Sequence, residues 1–118
     1  MILPSSVRIY LATKHSDMRK GHDGLFALVR NTLKLDPFSG HLFVFFSRRR
    51  NRIKILFFDR GGFALFYKRL EKGRFRIPEV KPGASHIEIE ASQLSMILDG
   101  YDIRRVKRQK RWIPANRD

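Results

Sequence analysis

Arg48, Arg49, Arg50 and Arg52 crowd one polar, turn-prone stretch, and Lys68, Arg69, Lys72 and Arg74 crowd a second. Guanidinium and ammonium groups at this density suit one chemistry above others: gripping an anion rich in oxygens, such as the phosphate backbone of nucleic acid. Only Glu71 opposes them locally. Turns and edges of a sheet also carry charge to stay soluble and avoid edge pairing. So many cations of one sign exceed that need.

A second candidate is the block Asp17, Met18, Arg19, Lys20, Gly21, His22, Asp23, Gly24. Arg19 and Lys20 stand before a helix start, where positive charge opposes the macrodipole. Either a bound anion or a plain solvated turn accounts for them. Asp17 or Asp23 is the expected N-cap. Gly21 and Gly24, if both helical, share a side and permit close approach of another backbone. A third cationic stretch is the tail, with Arg104, Arg105, Lys107, Arg108, Lys110 and Arg111.

Other chemistries find little support. His15, His22, His41 and His86 lack metal-ligand spacing, and no cofactor is expected. The carboxylates are scattered, whereas a two-metal nuclease needs several converging on one point. A distributed trio leaves a cryptic nuclease as the remaining catalytic reading. Gly21 and Gly24 alone make no phosphate loop. With no cysteine, thiol chemistry and cysteine-ligated metals are excluded. The chain is therefore read as a non-enzyme.

The elements that position these groups follow from periodicity. Leu42–Phe46, Ile53–Phe58 and Phe63–Tyr67 are apolar runs separated by polar clusters, and Arg74–Ile77 is a possible fourth strand. In such a meander successive tips alternate ends. The tips at Arg48–Asn51 and Glu71–Gly73 should share one end, with Asp59–Gly62 at the other. Val7–Ala12 alternates as a strand with one buried face. Leu25, Leu28, Val29 and Leu33 form one helical face. Asp36–Gly40 is turn chemistry that ends this helix. His86–Glu90 alternates as a strand, and Ala91–Leu98 is a short helix stopped by Gly100. The expected fold is α+β: a mainly antiparallel β-meander of about five or six strands, with a long N-terminal helix packed on it and a short C-terminal helix. Residues 1–102 form the expected single domain and 103–118 a basic, mobile tail.

The whole chain has 118 residues and a formal net charge of +14, which calls for an anionic partner. No apolar run suits a membrane span and no secretory signal is visible, so the cytoplasm, with possible nucleoid association, is the expected location.

Several blocks then acquire a common meaning. Asp17–Leu25, Asp36–Phe45, Tyr67–Phe75 and Ser92–Asp102 together resemble the small accessory proteins called TnpB of the insertion-sequence-sixty-six group of bacterial transposable elements. The resemblance covers about Leu3 to Asp102. It implies a role in DNA transposition beside a separate, larger transposase that supplies the catalysis. It carries over no catalytic residues. The family favours Trp or Tyr near Phe57 and Phe58, Trp near Arg76 or Ile77, and an apolar residue at His22. Its tail varies after Asp102.

Three binding readings follow. The first is an accessory DNA binder that grips element ends or nonspecific duplex. The second is a protein–protein adaptor that docks the transposase through Asp17–Leu25. The third is a single-strand or RNA binder that stacks bases on Tyr10, Tyr67 or Trp112.

Overall fold

The structure, a computed structural model, describes residues 4–80, 82–102, 107–108 and 114–115. Five strands form one sheet: β1 (Ile9–Ala12), β2 (Leu42–Phe46), β3 (Arg52–Asp59), β4 (Gly62–Arg69) and β5 (His86–Ile89). Their order across the sheet is β4-β3-β2-β1-β5. The β2-β3-β4 meander is antiparallel, with Phe46 opposite Ile53, Arg52 opposite Arg69 and Asp59 opposite Gly62. β1 is antiparallel to β5 but parallel to β2. Parallel neighbours need a crossover, and the helix α1 (His22–Ala27) with its π-helical continuation Leu28–Thr32 supplies it.

Both faces of the sheet are covered, so β2 is buried at every position. One face carries Ile9, Leu11, Val44, Phe46, Ile53 and Ile55 against Phe75, Ile77, Leu94 and Ile97. The other carries Ala12, Phe43, Phe45 and Leu56 against Leu25, Val29 and Leu33. The α+β class and mainly antiparallel sheet are as the periodicity predicts. β1 differs in detail: it is flanked on both sides, and Ala12, on its second face, is also buried.

The N-terminal helix is shorter than expected. Its apolar face is correct, with Leu25 and Val29 fully buried. However, α1 has 6 residues and then widens to π geometry, and the helix ends at the C-cap Leu33, followed by left-handed Lys34 at φ 58. Neither Asp17 nor Asp23 is the cap. Gly21 holds that position without a side-chain hydrogen bond, and Asp23 lies in the first turn. So short a helix gains its stability from packing. Gly24 does allow a close approach, but of a side chain: a Cβ there would meet Lys20 Cβ at 2.9 Å. Nothing lies within 4 Å of the corresponding point at Gly21.

Arg74–Ile77 is not a strand. Gly73, at φ 84, turns the chain back across the β2–β3 tip, and Phe75 and Ile77 enter the core individually. Pro78 then lacks the donor a ladder needs. Helix α2 (Ala91–Asp99) follows the sequence pattern closely. The Glu90 N–H donates to Gln93 Oε1 at 2.7 Å, and Gly100 closes the helix at φ 85. A short pair, β6 (Tyr101–Asp102) with β7 (Lys107–Arg108), follows.

Candidate nucleic-acid interface

β1, β2 and β4 finish, and β3 and β5 begin, at one end of the sheet. The loops leaving those strands therefore converge there. Ser47 organises the first tip. Its N–H donates to Arg52 O at 3.0 Å, its carbonyl accepts from Arg50 N–H at 2.9 Å, and its Oγ accepts from Arg52 N–H at 3.1 Å and donates to Asn51 Oδ1 at 3.2 Å. The buried Ser47 thus fixes the backbone from which the arginines project. The third tip bonds to the first: Leu70 N–H donates to Asn51 O at 2.8 Å and Phe75 N–H to Arg50 O at 2.6 Å. The expected sharing of one end is direct contact.

The cations divide into engaged and available groups. Arg48, Arg49, Arg52, Lys72 and Arg74 are exposed, and their side chains have no ion-pair partner among the described residues. Arg48, Arg49, Asn51, Gly73 and Arg74 line one open groove. Arg50 lies 5.9 Å from the Phe46 ring centroid. Arg69 is paired with Glu71 at 3.0 Å. Lys68 points elsewhere: its Nζ donates to Leu98 O at 2.7 Å, a favourable place for positive charge near the C-terminal end of α2.

The Asp17 block forms the neighbouring wall. Ser16 N–H donates to Phe46 O at 2.9 Å, anchoring the loop to the end of β2. A second depression brings Asp17 and Met18 together with Arg48, Arg49 and Arg52. Arg19 turns back on Asp17, with Nη2 2.7 Å from Oδ2 and its N–H donating to Oδ1 at 2.9 Å. The guanidinium first, then this backbone bond, hold the Asp17 carboxyl down at about 2. Arg19 is thus partnered without a bound anion.

Lys54 fastens this loop from beneath. It is 9% exposed, and its Nζ donates to Met18 O at 2.7 Å and Lys20 O at 2.8 Å while lying 5.1 Å from the Tyr67 ring centroid. Sequence reading did not single it out, because a lysine between Ile53 and Ile55 passes for the solvent side of a strand. The available signal was that Lys54 shares a face with Leu56 and Phe58.

Residues 7–108 match the family model described as IS66 Orf2 like protein. The chain belongs to the IS66 Orf2-like family. It is accordingly a transposition-associated accessory protein. Two relatives from Sinorhizobium fredii (strain NBRC 101917 / NGR234) are similar to it. "Uncharacterized protein y4hO" is 44% identical over 97% of both chains, and "Uncharacterized protein y4jC" is 43% identical over 92% of both. No solved structure matches.

The IS66 Orf2-like match contains the Asp17 block and both basic tips, but not Lys110 or Arg111. Arg104, Arg105, Lys110, Arg111 and Trp112 lie outside the described residues, while Lys107 and Arg108 form β7. Of the other aromatics considered as stacking platforms, Tyr10 is half-buried and stacked on Phe43 at 5.9 Å, and Tyr67 covers Lys54. Among the described residues no group of three histidines or carboxylates is placed to hold a metal, and no helix is long and apolar enough to cross a membrane.

Proposed function

We propose that this IS66 Orf2-like protein supports transposition by gripping DNA phosphates with the basic end of its sheet, leaving catalysis to a separate transposase. One observation carries the reading: Arg48, Arg49 and Arg74, on two loops that are hydrogen-bonded to each other, and Arg52, at the start of β3, stand exposed and without ion-pair partners among the described residues. Because the backbone is already fixed, the ordering cost of meeting a polyanion falls on the arginine side chains alone. The contacts are to phosphate, so they set affinity and position, while sequence choice is weak or delegated. The basic tail, with Arg104, Arg105, Lys107, Arg108, Lys110 and Arg111, adds positive charge to the same grip, and the protein acts beside DNA in the cytoplasm.

Fluorescence anisotropy across a salt series tests this. Affinity for duplex DNA falls with salt at a slope of about −0.9 per neutralised phosphate. Replacing Arg48, Arg49 and Arg52 together by Ala flattens the slope by about 2 to 3 and weakens all sequences alike. An unchanged slope sinks the sheet-end site. Incubation of supercoiled DNA with magnesium or manganese leaves it intact; cleavage retained through purification would make the protein a nuclease.

The adaptor reading has its own support at the opposite end. Phe26, Phe38, Phe58 and Phe63 form an edge-to-face cluster around the Asp59–Gly62 turn, and Phe38 is 55% exposed. Co-purification with the transposase at high salt, lost on Phe38→Ser, distinguishes it from charge-mediated association.

A further inference from the structure

Beside the basic depression lies a cavity of about 310 Å³ that the phosphate reading leaves unused. Its floor is apolar, made by Ala12 at the end of β1, Phe45 of β2, and Leu28 and Leu33 of the helical crossover. Its rim is polar and cationic, with Lys14, His15, Ser16 and Thr32. None of these four side chains makes a hydrogen bond or ion pair with another described residue. His15 and Ser16 also line the depression that holds Arg48, Arg49 and Arg52, so the cavity and the cationic surface are continuous.

An apolar recess next to a cationic shelf matches the two halves of a nucleotide. We propose that this cavity receives the base of an unpaired nucleotide in a DNA strand, with its phosphates on Lys14, His15 and the Arg48–Arg49 tip. The inference rests on the DNA reading above and specifies which DNA. The volume falls at the lower end of small-ligand sites, suited to one base rather than several. A base in a duplex is stacked on both faces and cannot enter. One in a single-stranded tail, or at a frayed end, has its faces free and gains by burying them. The hydroxyls of Ser16 and Thr32 are placed to meet the polar edge of the base. Because the floor is apolar and the hydroxyls both donate and accept, the site tolerates different bases. Discrimination is for unpaired against paired DNA.

The test compares a blunt duplex, the same duplex with an unpaired tail, and that tail made of abasic sites, all by anisotropy at one salt concentration. The tailed duplex binds tighter than the blunt one by about tenfold or more, as burying one base face-on allows, and the abasic tail loses this advantage. Thr32→Trp, from an exposed position on the rim, fills the recess and abolishes the tail preference while blunt-duplex binding stays within twofold or so. Ala84→Trp, on the facing loop, does the same by an independent route and serves if the first variant does not fold. Equal, salt-sensitive binding to blunt and tailed duplexes overturns this inference and leaves the phosphate grip standing. A tail preference that survives both filling variants also overturns it. A deoxynucleoside monophosphate that binds as tightly as the tail overturns the strand as ligand. Absence of binding to every DNA overturns both readings together.

Discussion

At Asp17 and Arg19 the interaction is entirely local: a carboxylate and a guanidinium two residues apart close on each other through side-chain and backbone bonds. The folded carboxyl sits at about 2, below its unfolded value. The pair therefore adds to stability above the ordinary carboxylate range, and that contribution is lost as pH falls through about 2. Carboxyl-carbon NMR should show the Asp17 midpoint near 2 in the parent protein, and Arg19→Ala should return it toward the ordinary aspartate range. An unchanged midpoint in the variant would mean that another group holds the proton off. Lys34 offers a second residue-scale test. Its φ of 58 is left-handed, where an L side chain costs about 1–2 kcal/mol and glycine costs little. Lys34→Gly should raise unfolding free energy by about 1 kcal/mol in urea titrations, and Lys34→Val should lower it. Nothing in the pattern of apolar residues announces such a position, since Lys34 reads as a routine exposed helical residue.

At the scale of elements, Lys54 joins β3 to the loop that precedes α1. Bonds from a charged donor contribute about 1.5–3 kcal/mol each, offset by the cost of keeping the ammonium out of water. Lys54→Met keeps the volume and removes both bonds, so a net loss of about 1–3 kcal/mol is expected. The diagnostic result is local: hydrogen exchange should speed at Met18–Gly21 well before it speeds in β2. Uniform acceleration would show that Lys54 serves global stability and not the loop. The same element shows what periodicity conveys and what it omits. Three strands from Leu42 to Tyr67 were legible because apolar runs alternate with polar tips, and α2 was legible because Gly100 marks its end. The parallel pairing of β1 with β2 was not legible, because strand direction is set by the crossover and leaves no mark within Ile9–Ala12. Arg74–Ile77 carries the right alternation, and its apolar members are indeed buried. It fails as a strand because Gly73 sends the chain over the neighbouring tip.

Across the whole molecule, alternation of tips separates a cationic end from an aromatic one. That gathering was legible from the meander alone; which cations remain available was not. Lys68 and Arg69 are adjacent in sequence and look equivalent, yet one caps a helix end and the other faces Glu71. Side-chain partners from distant segments decide availability, and sequence spacing does not encode them. Glu71 therefore becomes the informative position. Its carboxylate is half-exposed, so the ion pair itself contributes little to stability. It does keep the Arg69 guanidinium occupied and places negative charge beside Lys72 and Arg74. Glu71→Gln removes one negative charge, frees Arg69, and should leave the thermal midpoint nearly unchanged. If the sheet end grips phosphate, the variant binds duplex DNA more tightly, and its slope of log affinity against log salt steepens by about 0.9 as Arg69 neutralises one more phosphate. Lys68→Ala provides the contrast: it loosens α2 and lowers stability but leaves that slope where it was. Flattening in Lys68→Ala, or no steepening in Glu71→Gln, would place the DNA contact away from this end of the sheet.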